Sequence, residues 1–291
     1  MTASARTRFA PSPTGELHLG HAFSAHVAAI AGNGKFVLRI DDIDHTRCKP
    51  EFVTQIQRDL EWLGLSWHQP IVRQSDRLEH YHAALETLQN MGLVYPCYLT
   101  RTEINALLSA PHGNDKALID AEEELSDAER QRRAEAGEAP AWRLRTREAL
   151  AKAGDIYWWD CLAGRQIPVD MSAFGDVVVA RKDIGTSYHL SVVVDDAMDN
   201  VTMVTRGSDL ASSTHVHRLL QALLNLPSPA YLHHELVTNT QGRRLAKRDN
   251  ARSIAAMRDS GMTPADILKL MPEARYRTKS LPIKARFMTK R

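Results

Sequence analysis

Two histidines three residues apart, His18 and His21, close the segment Pro11-Ser12-Pro13-Thr14-Gly15-Glu16-Leu17-His18-Leu19-Gly20-His21. A short strand that runs into a Pro/Gly turn and then a Gly-opened helix makes an anion site. The unpaired N–H groups of the helix N-terminus point at whatever occupies its mouth. Residues three apart share a helix face, so both imidazoles can face that mouth and donate to phosphate oxygens. Gly20 leaves room for a flat ring to approach the backbone. An ordinary strand-to-helix turn with two surface histidines has the same residue types, and the H-x-G-H spacing alone favours that plainer reading. A second stretch lies far downstream, Arg243-Arg244-Leu245-Ala246-Lys247-Arg248-Asp249-Asn250. A basic loop after a strand can close over a triphosphate and neutralise charge on its α- and β-phosphates. Alone, it reads as a solvated charge run.

The elements that must position these stretches follow from periodicity. Arg8 to Ala10 reads as a strand, Ala22 to Ala31 as an Ala-rich helix, and Asn33-Gly34 as a turn into a strand over Lys35–Ile40. Asp41-Asp42-Ile43-Asp44 falls where that strand ends. Phe52, Ile56, Leu60 and Leu63 predict a helix over Glu51–Leu63 stopped by Gly64, and a second helix runs from Arg77 to Met91 before Gly92. This order predicts an α/β domain with a parallel sheet. From Thr100 to about Ala153 the chain is charged and helix-prone, and from Tyr157 to Val179 it alternates as short strands do. That block reads as an insertion between two halves of one sheet. Leu190–Asp196 and Val201–Thr205 read as returning strands, Ser212–Leu224 as a helix, and Tyr231–Thr238 as a last strand before the basic loop Gln241–Arg252. The tail Arg275–Arg291 has seven basic residues and no acidic ones.

With 291 residues the chain can bury a core without disulfide or metal staples. Apolar residues make up 43% and charged residues 25%, a globular balance. Lys plus Arg is 37 against 35 Asp plus Glu, a net charge of +2, which excludes a wholesale polybasic coat but not a local basic face. No apolar run approaches the ~18 residues of a membrane span. The first residues carry no hydrophobic signal core. The expectation is a cytoplasmic protein with no membrane partner, in which Cys48, Cys97 and Cys161 are free thiols.

Taken together, His18-Leu19-Gly20-His21 and Arg244-Leu245-Ala246-Lys247-Arg248 resemble the paired HIGH and KMSKS signatures of class I aminoacyl-tRNA synthetases. Arg8-Phe9-Ala10-Pro11-Ser12-Pro13-Thr14-Gly15 and Leu38-Arg39-Ile40-Asp41-Asp42-Ile43-Asp44 are similar to the glutamyl-tRNA synthetase group. So are Tyr188–Asp196 and Val204-Thr205-Arg206-Gly207-Ser208-Asp209-Leu210. The resemblance runs in order from about Arg8 to about Ile267. Within the group the chain most resembles the glutamyl-Q tRNA(Asp) synthetase family, a short branch without an anticodon-binding domain. About forty residues follow the basic loop, too few for such a domain.

The resemblance implies a Rossmann-type catalytic domain with a mixed α+β insertion and a short helical C-terminal segment. Its parts would be a first half over 1–96, an insertion over 97–185, a second half over 186–252 and a terminal segment over 253–291. It implies activation of L-glutamate by ATP with Mg²⁺, and transfer of the glutamate to the queuosine base of tRNA(Asp). Arg8, Phe9, Ala10, Pro11, Ser12, Asp41, Tyr188 and Arg206 would bind glutamate. His18, Gly20, His21, Leu245, Lys247 and Arg248 would bind ATP, with His18, His21 and Lys247 catalytic. Asp41 stands where the family usually has Glu, and Ala246 where it has Ser. Family members often carry a zinc site that begins Cys-x-Cys, but here Leu99 follows Cys97 at that spacing. One thiolate cannot make a tetrahedral site, so no zinc is expected. A monomer is expected. The competing readings are a truncated glutamyl-tRNA synthetase charging tRNA(Glu), a small-molecule nucleotidyltransferase or ligase, and a non-catalytic tRNA-binding paralogue.

Overall fold

The computed structural model describes residues 5–100, 102–103, 125–238 and 252–272. Three strands, β1 (Arg8–Phe9), β2 (Lys35–Ile40) and β3 (Ser66–Arg73), form a parallel sheet in that order. Helix α1 (Leu19–Ala31) links β1 to β2 and α2 (Pro50–Trp62) links β2 to β3. Parallel neighbours need such crossovers. Gly64, at φ +73°, ends α2 as its position suggests. Strand β3 is absent from the periodicity reading, because Ser66-Trp67-His68-Gln69-Pro70-Ile71 mixes polar residues and a proline. It lies at the edge of its sheet, where proline is tolerated.

After α3 (Leu78–Asn90), β4 (Val94–Cys97), β5 (Ala141–Leu144) and β8 (Val178–Ala180) form an antiparallel sheet. Helices α4 (Asp127–Glu135) and α5 (Thr146–Ala153) and the hairpin β6 (Tyr157–Asp160)–β7 (Arg165–Pro168) lie between β4 and β8 in sequence. Strand β6 then pairs in parallel with β10 (Ala230–His234), which also pairs in parallel with β9 (Met203–Gly207). Residues inside the 97–185 stretch therefore extend the second parallel sheet as well as building the small antiparallel one.

The two parallel sheets meet side by side. The N–H groups of Thr202 and Met203 donate to the Arg6 carbonyl, and the Arg6 N–H donates to Thr202 Oγ1. One apolar core packs α1, β2 and α2 through Phe23, Leu38, Ile40, Ile56 and Leu60. Each such buried side chain contributes about 1.5–3 kcal/mol. A second core gathers α3, α6 (Tyr188–Met198) and α7 (Ser213–Leu223). Two short helices, α8 (Ile254–Asp259) and α9 (Pro264–Lys269), complete the described chain, and α8 packs on α2. No helix among the described residues is long and apolar enough to cross a membrane.

Leu190–Asp196 is a helix and not the strand expected from its composition. Ser187 caps α6, its Oγ accepting from the Leu190 N–H. Every residue from Leu190 to Asp196 is buried, so no polar stripe marks the helical period, and Val192-Val193-Val194 imitates an interior strand. Asn200, at φ +54°, then turns the chain toward β9.

Candidate active site

A cavity of about 330 Å³ opens at the carboxyl ends of β1, β2, β9 and β10. Open parallel sheets bind ligands there because the loops at those ends diverge. Every described residue that the sequence singles out for binding lines it: Arg8, Phe9, Ala10, Pro11, Ser12, His18, Gly20, His21, Asp41, Tyr188 and Arg206. Leu245, Lys247 and Arg248 lie outside the described residues. Their two flanks come to the cavity. Val237 lines it, and beyond the basic segment Ser253 bridges to His18 while the Ile254 N–H donates to the Leu17 carbonyl.

The histidine turn holds its rings by local bonds. His18 caps α1: its Nδ1 accepts from the Gly20 N–H at 3.1 Å, and the His18 N–H donates to His21 Nδ1 at 3.2 Å. Both Nδ1 atoms are acceptors, so a neutral ring carries its proton on Nε2. The rings stack with centroids 3.8 Å apart. A Cβ on Gly20 would lie 3.0 Å from His18 Cε1, so the glycine makes room for the histidine's own ring. Two Nε2–H donors above a helix N-terminus can stabilise phosphate oxygens and the charge that develops on them.

Beneath the cavity floor runs an ion-pair network that the sequence reading missed. Arg39 is fully buried; its Nε donates to Asp41 at 2.7 Å and its Nη1 to Asp196 at 2.7 Å. Arg8 is also buried and donates to Asp196 at 3.2 Å and to the Thr205 carbonyl at 2.9 Å. Behind it, Asp195 accepts from Gln74, Arg77 and Tyr81, and Arg77 also reaches Asp199. Three acids closing an apolar run, Asp195 and Asp196 on the helix Tyr188–Met198 and Asp199 just after it, were the available signal, because buried carboxylates demand cations. Burial pushes Asp41 up to about 6, and Asp195 adds to the rise against the attraction of Arg39. Burial works the same way on Asp196, but Arg8 and Arg39 together hold it below the usual carboxylate range.

Arg206, on β9, has different surroundings. Nη1 donates to His217 Nδ1 at 3.1 Å and to Tyr188 Oη at 3.5 Å. Nη2 donates to Thr214 Oγ1 at 2.6 Å, and Nε to His233 Nε2 at 3.4 Å. The guanidinium also lies over the Tyr231 ring. Opposite, Ser24 Oγ meets His234 Nε2 at 3.1 Å on the same cavity wall. Cys97 is packed with Tyr95 and Leu99 in a small apolar cluster. Among the described residues no group of three or more His, Cys, Asp or Glu side chains is placed to hold a metal.

Two parallel half-sheets meeting over a histidine-capped helix define the nucleotide-binding catalytic domain of class I tRNA synthetases. The chain matches the profile of tRNA synthetases class I (E and Q), catalytic domain, over residues 4–279, and it belongs to that family. It is 47% identical over 280 residues to the glutamyl-Q tRNA(Asp) synthetase of Rhodobacter capsulatus, covering 91% of this chain and 99% of that protein. It is 38% identical over 274 residues to glutamate–tRNA ligase 1 of Paracoccus denitrificans, covering 91% of this chain and 60% of that one. The solved glutamate–tRNA synthetase of Elizabethkingia anophelis superposes with a TM-score of 0.73 at 25% identity, over 90% of this chain and 60% of its own. The chain thus spans about three-fifths of the length of these two glutamate-specific relatives.

Proposed function

We propose that the protein is an ATP-dependent ligase that activates L-glutamate to glutamyl-adenylate and transfers the glutamyl group to the queuosine base of tRNA(Asp). It would act in the cytoplasm as a monomer. The observation that carries this reading is the 47% identity along 99% of the Rhodobacter capsulatus glutamyl-Q tRNA(Asp) synthetase. The cavity's chemistry agrees with it. Arg206 offers its charge and its remaining Nη2–H to the side-chain carboxylate of glutamate. Asp41 accepts from the α-ammonium, and Arg8 and Ser12 steady the α-carboxylate. The α-carboxylate attacks the ATP α-phosphorus in line, and pyrophosphate leaves. Positioning and charge neutralisation supply most of the catalysis in such a transfer. His18 and His21 donate Nε2–H to the phosphate oxygens, and Lys247 neutralises charge from the basic loop. A Mg²⁺ ion brought in with ATP would offset negative charge on the phosphates.

Incubation with ATP and labelled glutamate, followed by transfer to tRNA(Asp) with and without queuosine and to tRNA(Glu), tests this function. Label is expected on queuosine-containing tRNA(Asp) only. Charging of tRNA(Glu), or of tRNA(Asp) regardless of queuosine, overturns it.

A further inference from the structure

The buried arginines around the cavity are held in two ways. Arg8 and Arg39 lie against carboxylates, whereas Arg206 has none within ion-pairing distance among the described residues. Its buried charge is met by neutral acceptors. A guanidinium has donors only, so each partner atom must offer a lone pair, and this fixes the protons around it. His217 Nδ1 accepts from Arg206, so the His217 proton sits on Nε2. That atom lies 3.1 Å from His189 Nδ1, which must then accept, leaving the His189 proton on Nε2. His233 Nε2 accepts from Arg206 Nε, and it lies 3.0 Å from Thr214 Oγ1, whose hydroxyl donates to it; the His233 proton is on Nδ1. One assignment is consistent with these contacts, with the His233 Nε2 lone pair shared between Arg206 Nε–H and the Thr214 hydroxyl, and it leaves all three imidazoles uncharged. Burial, reinforced by the Arg206 charge, pushes His189 and His233 down to about 4 and His217 well below its ordinary value.

We propose that His217, backed by His189 and completed by the Thr214–His233 pair, is a positioning device that holds Arg206 rigid but uncompensated and so sets the site's preference for a carboxylate-bearing amino acid over its amide. An internal carboxylate would also hold Arg206, but it would spend the charge inside the protein, and glutamine would then bind nearly as well as glutamate. A neutral acceptor orients the guanidinium and leaves its charge for the ligand. This rests on the reading that glutamate is the substrate.

Calorimetric titration of wild type, His217→Asn and His217→Asp with glutamate and with glutamine tests the device apart from catalysis. His217→Asn keeps a neutral acceptor and is expected to keep the glutamate preference. His217→Asp is expected to weaken glutamate binding and to narrow the glutamate-to-glutamine ratio by about tenfold or more. Equal ratios in the two variants overturn the proposal. If the Asp variant fails to fold, nitrogen NMR of the wild-type imidazoles decides: neutral His217 protonated on Nε2 is expected, and an imidazolium or an Nδ1–H form overturns it. Glutamate binding without glutamate-dependent pyrophosphate exchange, with or without tRNA, would count against the activity instead and leave the device standing.

Discussion

At the scale of single residues the sharpest consequence belongs to Asp41. It shares Arg39 with Asp196 and lies close to Asp195, and burial leaves it at about 6. Only its ionised form can receive an ammonium group. In the free enzyme kcat/KM for glutamate should therefore fall about tenfold per pH unit below pH 6. The sign separates this from unfolding. The folded value lies above the 3.8 of a free aspartate side chain, so protonation of Asp41 favours the folded chain and ionisation costs stability as pH rises between the two values. Asp41→Asn should raise the glutamate KM and abolish the step at pH 6; a wild-type profile flat down to pH 5 would show that Asp41 does not meet the substrate. Lys247 carries a second prediction. Lys247→Ala should slow glutamyl-adenylate formation by about 10²-fold or more with an unchanged circular dichroism spectrum, as expected for removal of one charge from a phosphoryl-transfer site. An unchanged rate would mean that the basic loop is not the ATP loop.

At the scale of elements, α6 joins the cavity to the charge network beneath it. Its first residue, Tyr188, lines the cavity, while Asp195 and Asp196 on its last turns and Asp199 at its C-terminal cap anchor Arg77, Arg39 and Arg8. Its register is held by the Ser187 cap and by apolar residues, of which Leu190 is fully buried. Leu190→Ala should cost about 2–5 kcal/mol through lost burial and a residual cavity. Urea denaturation measures the loss, and a cost below 1 kcal/mol would show that α6 is held by its ion pairs alone.

At the scale of the whole molecule, the chain after the basic loop returns to the histidine turn and is locked there. The Ile254 N–H donates to the Leu17 carbonyl, and Arg258 on α8 donates to the buried Asp59 of α2 at 2.8 Å while lying over the Trp62 ring. Arg258→Ala leaves Asp59 buried with Gln55 as its remaining partner and should cost about 3 kcal/mol. Asp59 already lies above its ordinary value because of burial, and losing Arg258 raises it further. Its ionised form is then the costly one, so the difference between variant and wild type should grow from pH 4.5 to pH 7. Thermal melts at the two pH values check this, and a difference that shrinks toward pH 7 would contradict it.

Much was legible from local pattern. The strand–turn–helix at Arg8–Ala31, the strand Lys35–Ile40 and the helices before Gly64 and Gly92 rest on spacing and punctuation, whereas the grouping of Arg8, Asp41, Tyr188 and Arg206 with the histidine turn rests on the family resemblance. The first are short-range; the second needed motifs far apart in the chain to be read together. The helical state of Leu190–Asp196, the union of β6 with β10 and the partners of each buried charge came from tertiary structure. A helix buried on all sides carries no period of its own, and edge pairing depends on what lies across the gap. Arg8, Arg39 and Arg206 are one residue type in sequence. Only packing decided that two of them lie against carboxylates and the third lies among neutral imidazoles, because the charge left to a ligand is set by what surrounds the guanidinium.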